Sequence, residues 1–139
     1  MEPPDRRPAT PLGPGADGVP PDDAVVEVHV TTPDAGSAEH LAQVLLDERL
    51  AACVQVVPGV RSFYRWEGEV ATDDEHLLLV KSTAGLVTTL RDRILSEHPY
   101  DVPEVLAVPT SAVDARYAAW LRQSVRSPDP GAAAAGDGS

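Results

Sequence analysis

The stretch that decides the fold is Val60-Arg61-Ser62-Phe63-Tyr64-Arg65-Trp66-Glu67-Gly68, together with the run that answers it, Leu77-Leu78-Leu79-Val80-Lys81. In the first, Val60, Ser62, Tyr64 and Trp66 alternate with Arg61, Phe63 and Arg65, which is the two-residue period of an extended strand. Glu67-Gly68 predicts a turn and the leucine run a return strand. Upstream, Ala52-Cys53-Val54-Gln55-Val56-Val57 begins the same strand, and Pro58-Gly59 interrupts it. Proline cannot donate to a ladder and glycine permits a bend, so a kink or bulge is expected there. Residues 60–81 thus predict a β-ribbon longer than a domain of this size needs. Such a ribbon exposes edges and aromatic rings, and oligomerisation is one way to cover them.

The elements on either side complete the pattern. Val25-Val26-Glu27-Val28-His29-Val30-Thr31 reads as a strand, with Val26, Val28 and Val30 on one face. Asp34 offers an N-cap to a helix over 35–49, whose inner stripe is Ala38, Leu41, Ala42, Leu45 and Arg49. Leu86, Val87, Leu90 and Ile94 mark a second helix, ended by His98 because Pro99 disfavours a helical residue before it. Val105-Leu106-Ala107-Val108 predicts a short buried strand. Val113, Tyr117, Trp120 and Leu121 predict an amphipathic C-terminal helix. The order β-α-β-β-α-β-α is that of a ferredoxin-like α+β domain, an antiparallel sheet with helices on one face.

Composition sets the limits of that domain. The chain has 139 residues, a length that suits one domain. Residues 1–23 are crowded with Pro and Gly, and residues 127–139 read SPDPGAAAAGDGS. Neither can bury enough apolar surface to offset its ordering entropy, so both are expected to be disordered tails around a domain at 24–126. The formal net charge is −11. The two tails hold 7 of the 22 acids and 2 of the 11 bases, so the middle is still acidic. With no basic stripe, the chain is expected to bind neither nucleic acid nor an anionic membrane surface. Cys53 is the single cysteine, which fits a reducing compartment. No apolar run is long enough for a membrane span, and no apolar segment follows Arg6 and Arg7 as a signal peptide requires. Cytoplasm is the expected location. Gly13-Pro14-Gly15-Ala16-Asp17-Gly18 spells a dinucleotide-binding glycine pattern, but no strand precedes it and no helix follows.

Several separated blocks resemble the CutA divalent-cation tolerance family across about residues 25–125. They are Leu50-Ala51-Ala52-Cys53-Val54, then Pro58-Gly59-Val60 with Ser62, Tyr64, Trp66 and Gly68, then Lys81. After these come His98-Pro99-Tyr100-Asp101-Val102-Pro103-Glu104, with Tyr117 and Trp120 in the last helix. The resemblance implies a ferredoxin-like fold, a homotrimer and a role in tolerance to divalent metals such as copper. Some members are thought to hold metal through a Cys at the end of the first strand and a His pair before the Pro-Tyr. Those positions are Val30, Glu97 and His98 here. Val30 cannot ligate, which leaves Glu97 and His98 as the implied metal ligands, with copper or another divalent cation as a non-obligatory partner.

The remaining chemistry-bearing residues keep two readings each. His98 is a metal ligand, or a helix-end residue satisfying free carbonyls. Tyr64 and Trp66 line a ligand cleft between subunits, or anchor an interface. Lys81 binds an anion in that cleft, or is a solvated lysine. Glu104 faces the same cleft, with Tyr100, or is a surface carboxylate. Cys53 reads as a buried, inert thiol. His29, His40 and His76 have no ligand spacing, and Asp73-Asp74-Glu75 reads as a solvated acidic turn. The functional expectation is a non-enzymatic trimer of divalent-metal response that binds metal near the end of the second helix. The alternative is a PII-like signalling or small-molecule-binding trimer, with small anionic ligands in its inter-subunit clefts. Catalysis is not expected, because no nucleophile pairs with a base. A phosphatase of the acylphosphatase type also needs an Asn, and the chain has none.

Overall fold

Residues 21–129 are described by the structure, a computed structural model. Its elements are β1 (Val25–Thr32), α1 (Ala35–Asp47), β2 (Cys53–Trp66), β3 (Glu69–Thr83), α2 (Val87–Glu97), β4 (Leu106–Pro109) and α3 (Ala115–Ser124). Short 3-10 turns occupy Pro21–Asp23 and Ala84–Leu86. The sheet order is β2-β3-β1-β4, and each neighbouring pair is antiparallel. This is the ferredoxin-like α+β arrangement that the element order predicts.

Alternation builds the core. Val26, Val28 and Val30 of β1 stand with Leu78 and Val80 of β3 on the covered face. Ala38, Leu41 and Leu45 of α1 and Leu90 and Ile94 of α2 close over them. Burying each large aliphatic chain contributes about 1.5–3 kcal/mol, so this layer carries most of the domain's stability. Asp34 caps α1 as expected, its Oδ1 accepting from the Ser37 amide at 2.8 Å. The helix stops at Asp47, and Arg49 follows with φ +56°. The Arg49 guanidinium then donates to the carbonyls of Ser124 and Gln123 at 3.1 and 3.0 Å, tying the end of α1 to the end of α3.

The hairpin has the expected interruption. Val57 pairs with Leu77 and Val60 with Glu75, so Pro58 and Gly59 together oppose His76 alone. Gly59 takes φ +75°, a conformation open to glycine and costly for other residues. This bulge shifts the side-chain parity of β2. Before it, odd-numbered residues share the face of Leu77; after it, Val60, Ser62, Tyr64 and Trp66 do. Glu67 and Gly68 both have positive φ between the paired Trp66 and Glu69, the backbone that a two-residue hairpin turn requires.

Four expectations are corrected. The sheet is not covered on one face only. Ala118 and Leu121 of α3 pack with Val25, an odd-numbered residue of β1, so α3 lies against the face turned away from α1 and α2. Within α3 the stripe facing inward is Ala118 and Leu121, while Tyr117 and Trp120 stand 40% and 46% exposed. β4 is an exposed edge rather than a buried strand, with Leu106 54% exposed, because among the described residues it pairs with β1 alone at the margin of the sheet. Residues 21–23, read as part of the N-terminal tail, form their turn beside the Ala84–Leu86 turn, and Arg122 Nε donates to the Asp23 carbonyl at 2.9 Å. Residues 1–20 and 130–139, including the glycine pattern at 13–18, lie outside the described residues. No helix among the described residues is long and apolar enough to cross a membrane.

Candidate functional site

A cleft of about 660 Å³ opens where the hairpin leaves the sheet. β1 contributes Thr31, β2 Tyr64 and Trp66, and β3 Asp73 and Glu75. The segment after α2 contributes Pro99, Tyr100, Asp101, Val102 and Glu104. The parity shift at Pro58-Gly59 is what brings Tyr64 and Trp66 to this side. Without it, Arg61, Phe63 and Arg65 would face the cleft. Four of the sequence-predicted cleft residues, Tyr64, Trp66, Tyr100 and Glu104, are therefore brought together.

Two phenol–carboxylate pairs set the electrostatics. The Tyr100 hydroxyl donates to Glu75 Oε2 at 3.1 Å, and the Tyr64 hydroxyl donates to Asp73 Oδ2. Burial, reinforced by the Glu75 carboxylate, pushes the Tyr100 phenol up to about 12. The hydrogen bond to Asp73 raises the Tyr64 phenol in the same direction. Both rings thus stay neutral donors at physiological pH. Carboxylates line the cleft at Asp73, Glu75, Asp101 and Glu104, and no Lys, Arg or His among the described residues lines it. Small anionic ligands, expected for the signalling alternative, are repelled by such a lining.

Glu97 and His98 are not brought together as ligands. Glu97 ends α2 and turns to the helical side, where Oε1 meets His40 Nε2 at 2.6 Å and Oε2 meets Arg93 Nη1 at 2.9 Å. The hydrogen bond from His40, then that from Arg93, holds the Glu97 carboxyl below its usual range. His98 turns inward and is buried. The Tyr100 amide donates to its Nδ1 at 3.0 Å, and its Nε2 lies 2.8 Å from the Thr31 carbonyl. An amide can only donate and a carbonyl only accept, so Nδ1 is the acceptor and Nε2 carries the proton. The single lone pair of the neutral ring is already used. The reason for this structural role lies in the ladder. β4 begins at Leu106 opposite His29, and the imidazole serves the next carbonyl along β1 that this ladder leaves free. Val30 is fully buried in the core. Among the described residues, no three His, Cys, Asp or Glu side chains form a group that could hold a metal ion. Glu97 and His98 as placed do not fit a resident metal.

Lys81 also falls outside the cleft. It pairs across the sheet with Cys53 and Glu27, three pleats from Glu75. Its Nζ donates to Gln55 Oε1 at 2.6 Å and lies 3.6 Å from Glu27 Oε1. Glu27 also accepts from His29 Nε2 at 2.7 Å, and that bond, with Lys81 nearby, keeps its carboxyl low. Cys53 is half-buried and free. Asp73 and Glu75, read as a solvated turn, are strand residues, and Glu75 is 8% exposed. Their signal was available, since Asp73 and Glu75 continue the odd-numbered face of Leu77 and Leu79. The proximity of Thr31 to Tyr100 had no local signal.

The family profile described as CutA1 divalent ion tolerance protein matches residues 26–124. Protein CutA 1, chloroplastic, from Oryza sativa subsp. japonica is 43% identical over 101 residues, covering 73% of this chain and 57% of that protein. The chain therefore spans little more than half the length of that relative. The divalent-cation tolerance protein CutA of Thermus thermophilus is 46% identical over 97 residues, covering 70% of this chain and 94% of that one. The solved structure from Thermus thermophilus superposes with a TM-score of 0.72 at 44% identity, covering 73% of this chain and 99% of that chain. CutA1 from Oryza sativa superposes with a TM-score of 0.73 at 42% identity, covering 74% and 94%. Fold, profile and relatives agree over the same ordered domain, and the chain belongs to the CutA1 divalent ion tolerance family.

Proposed function

We propose that the chain acts in tolerance of divalent cations, copper among them, as a non-catalytic homotrimer in the cytoplasm, and that it holds no resident metal at Glu97 and His98. The observation that carries the oligomer is the ribbon beyond Gly59. Phe63, Trp66 and Val70 are each more than 60% exposed on it, and β4 presents an unpaired edge. A monomer rarely leaves so much apolar surface and an open strand edge in water. The metal half rests on family membership. The acidic surface attracts cations, and the engaged ring of His98 and the ion-paired Glu97 argue that any ion is met weakly.

Sedimentation equilibrium at micromolar concentration is expected to return the mass of three 14.7 kDa chains. Copper titration is expected to show weak binding that Glu97→Gln and His98→Gln leave unchanged. Tight stoichiometric copper that either variant abolishes refutes the assignment, and a single-chain mass refutes the trimer.

The cleft favours a second reading, a trimer that binds a small molecule. Its volume is in the range of small-ligand sites, and it joins aromatic walls to a few polar groups.

A further inference from the structure

Resting on that second reading, we propose that the cleft at the foot of the hairpin binds a small organic cation carrying a guanidinium group.

The lining dictates the sign of the ligand. Asp73, Glu75, Asp101 and Glu104 meet there without a basic side chain among the lining residues. One of these carboxylates is built into the wall rather than scattered on a surface. Glu75 is 8% exposed, its Oε2 receives the Tyr100 hydroxyl, and among the described residues its Oε1 receives no hydrogen bond. A carboxylate this deep, with one oxygen left to the cleft, is a site for a charged donor.

The walls dictate the kind of cation. A bare divalent ion needs several ligands converging on one point, and no three such side chains do so among the described residues. Tyr64, Trp66 and Tyr100 instead line the cleft beside the acids. A guanidinium is flat, weakly hydrated and delocalised, so it stacks on such rings while donating in a fork to a carboxylate. The two phenols are committed to Asp73 and Glu75 as donors, which fixes the carboxylates in place before a ligand arrives.

The test is calorimetric titration of the full chain with argininamide at low salt. Neutral, isosteric citrullinamide and anionic AMP serve as controls. Argininamide is expected to bind one per chain, at least about tenfold more tightly than citrullinamide, with no binding of AMP. Glu75→Gln is expected to weaken argininamide about tenfold or more. Because a change at buried Glu75 can also disturb the fold, Trp66→Ala, which leaves the core of the subunit untouched, is run beside it with its assembly state matched to the parent by sedimentation, and is expected to weaken binding severalfold. Absence of argininamide binding, equal binding of citrullinamide, or unchanged affinity in Trp66→Ala overturns the inference. Sedimentation of the same samples separates the two readings. A trimer that ignores argininamide overturns this site alone, and a monomer that binds it overturns the assembly alone.

Discussion

His98→Ala tests the structural role assigned to this ring. The substitution removes the donor to the Thr31 carbonyl and the acceptor for the Tyr100 amide. It also removes a ring that is 9% exposed and packs at 5.0 Å between centroids against Tyr100. Thr31 is itself only 9% exposed, so its carbonyl is left with poor access to water. Leaving that carbonyl unpaired costs about 1–3 kcal/mol, while the half-buried Tyr100 amide, which water can reach, costs about 0.5–1 kcal/mol. Lost burial of the ring adds about 1 kcal/mol, for a total of about 4 kcal/mol. At about 4–8 °C per kcal/mol for a domain of this size, the melting temperature falls by about 15–30 °C. Thermal unfolding of parent and variant at equal chain concentration measures it, since assembly makes the midpoint concentration-dependent. A long-range nitrogen–proton NMR correlation on the parent reads the tautomer independently. A drop under about 3 °C, on the same scale, or a proton found on Nδ1, refutes the reasoning.

Other substitutions probe the ribbon and the charges. Gly59→Ala is expected to lose about 1–2 kcal/mol in urea unfolding, because its Cβ meets nothing within 4 Å and only the φ of +75° opposes it. Gly36→Ala, whose Cβ meets Asp34 Oδ1 at an ordinary 3.6 Å, is expected to gain up to about 0.5–1 kcal/mol. Equal effects at the two positions contradict the bulge geometry. The lowered carboxyl of Glu97 stabilises the folded state above its ordinary pKa of 4.5, and that contribution is lost as pH falls through the folded value. The urea midpoint of the parent should therefore decline on acidification more steeply than that of Glu97→Gln. Tyr100 has the opposite sign. Its phenol rises from 10.0 to about 12, so its contribution is complete below pH 10 and disappears as pH climbs through 12. Tyr100→Phe should delete the latest phenolate step in an ultraviolet pH titration, and an unchanged curve counts against the buried phenol.

The fold was legible wherever periodicity and punctuation agreed. Val26, Val28 and Val30 declare their face by alternation, Asp34 its cap, and Pro58-Gly59 its bulge. These are local properties, and the structure keeps them. The apolar run at Leu106-Ala107-Val108 misled because an edge strand and a buried strand are composed alike. Tyr117 and Trp120 misled because helical spacing does not say which side of a stripe a second layer leaves open. Of the residues expected in a cleft, Tyr64, Trp66, Tyr100 and Glu104 line one together, while Lys81 belongs to another row of the sheet. Glu97 and His98 are adjacent in sequence but diverge, because the helix ends between them. Glu97 keeps the helical direction, and His98 takes an extended backbone with ψ 140° and turns under the loop. The alternation of Asp73 and Glu75 shows their face, but the hydrogen-bond partner of Glu75, Tyr100, lies 25 residues away and has no local signal.

The extra residue at Pro58-Gly59 makes the ribbon sensitive to counting. Changing a side chain there alters one contact, but removing or adding one residue between the bulge and the turn exchanges the two sides wholesale. The rings now beside Asp73 and Glu75 would swap places with Arg61 and Arg65, turning an acid-and-aromatic wall into one of acids paired with arginines. Length in this arm is therefore a chemical variable in its own right, and loop grafts or tags inserted there should add an even number of residues to each of the two strands.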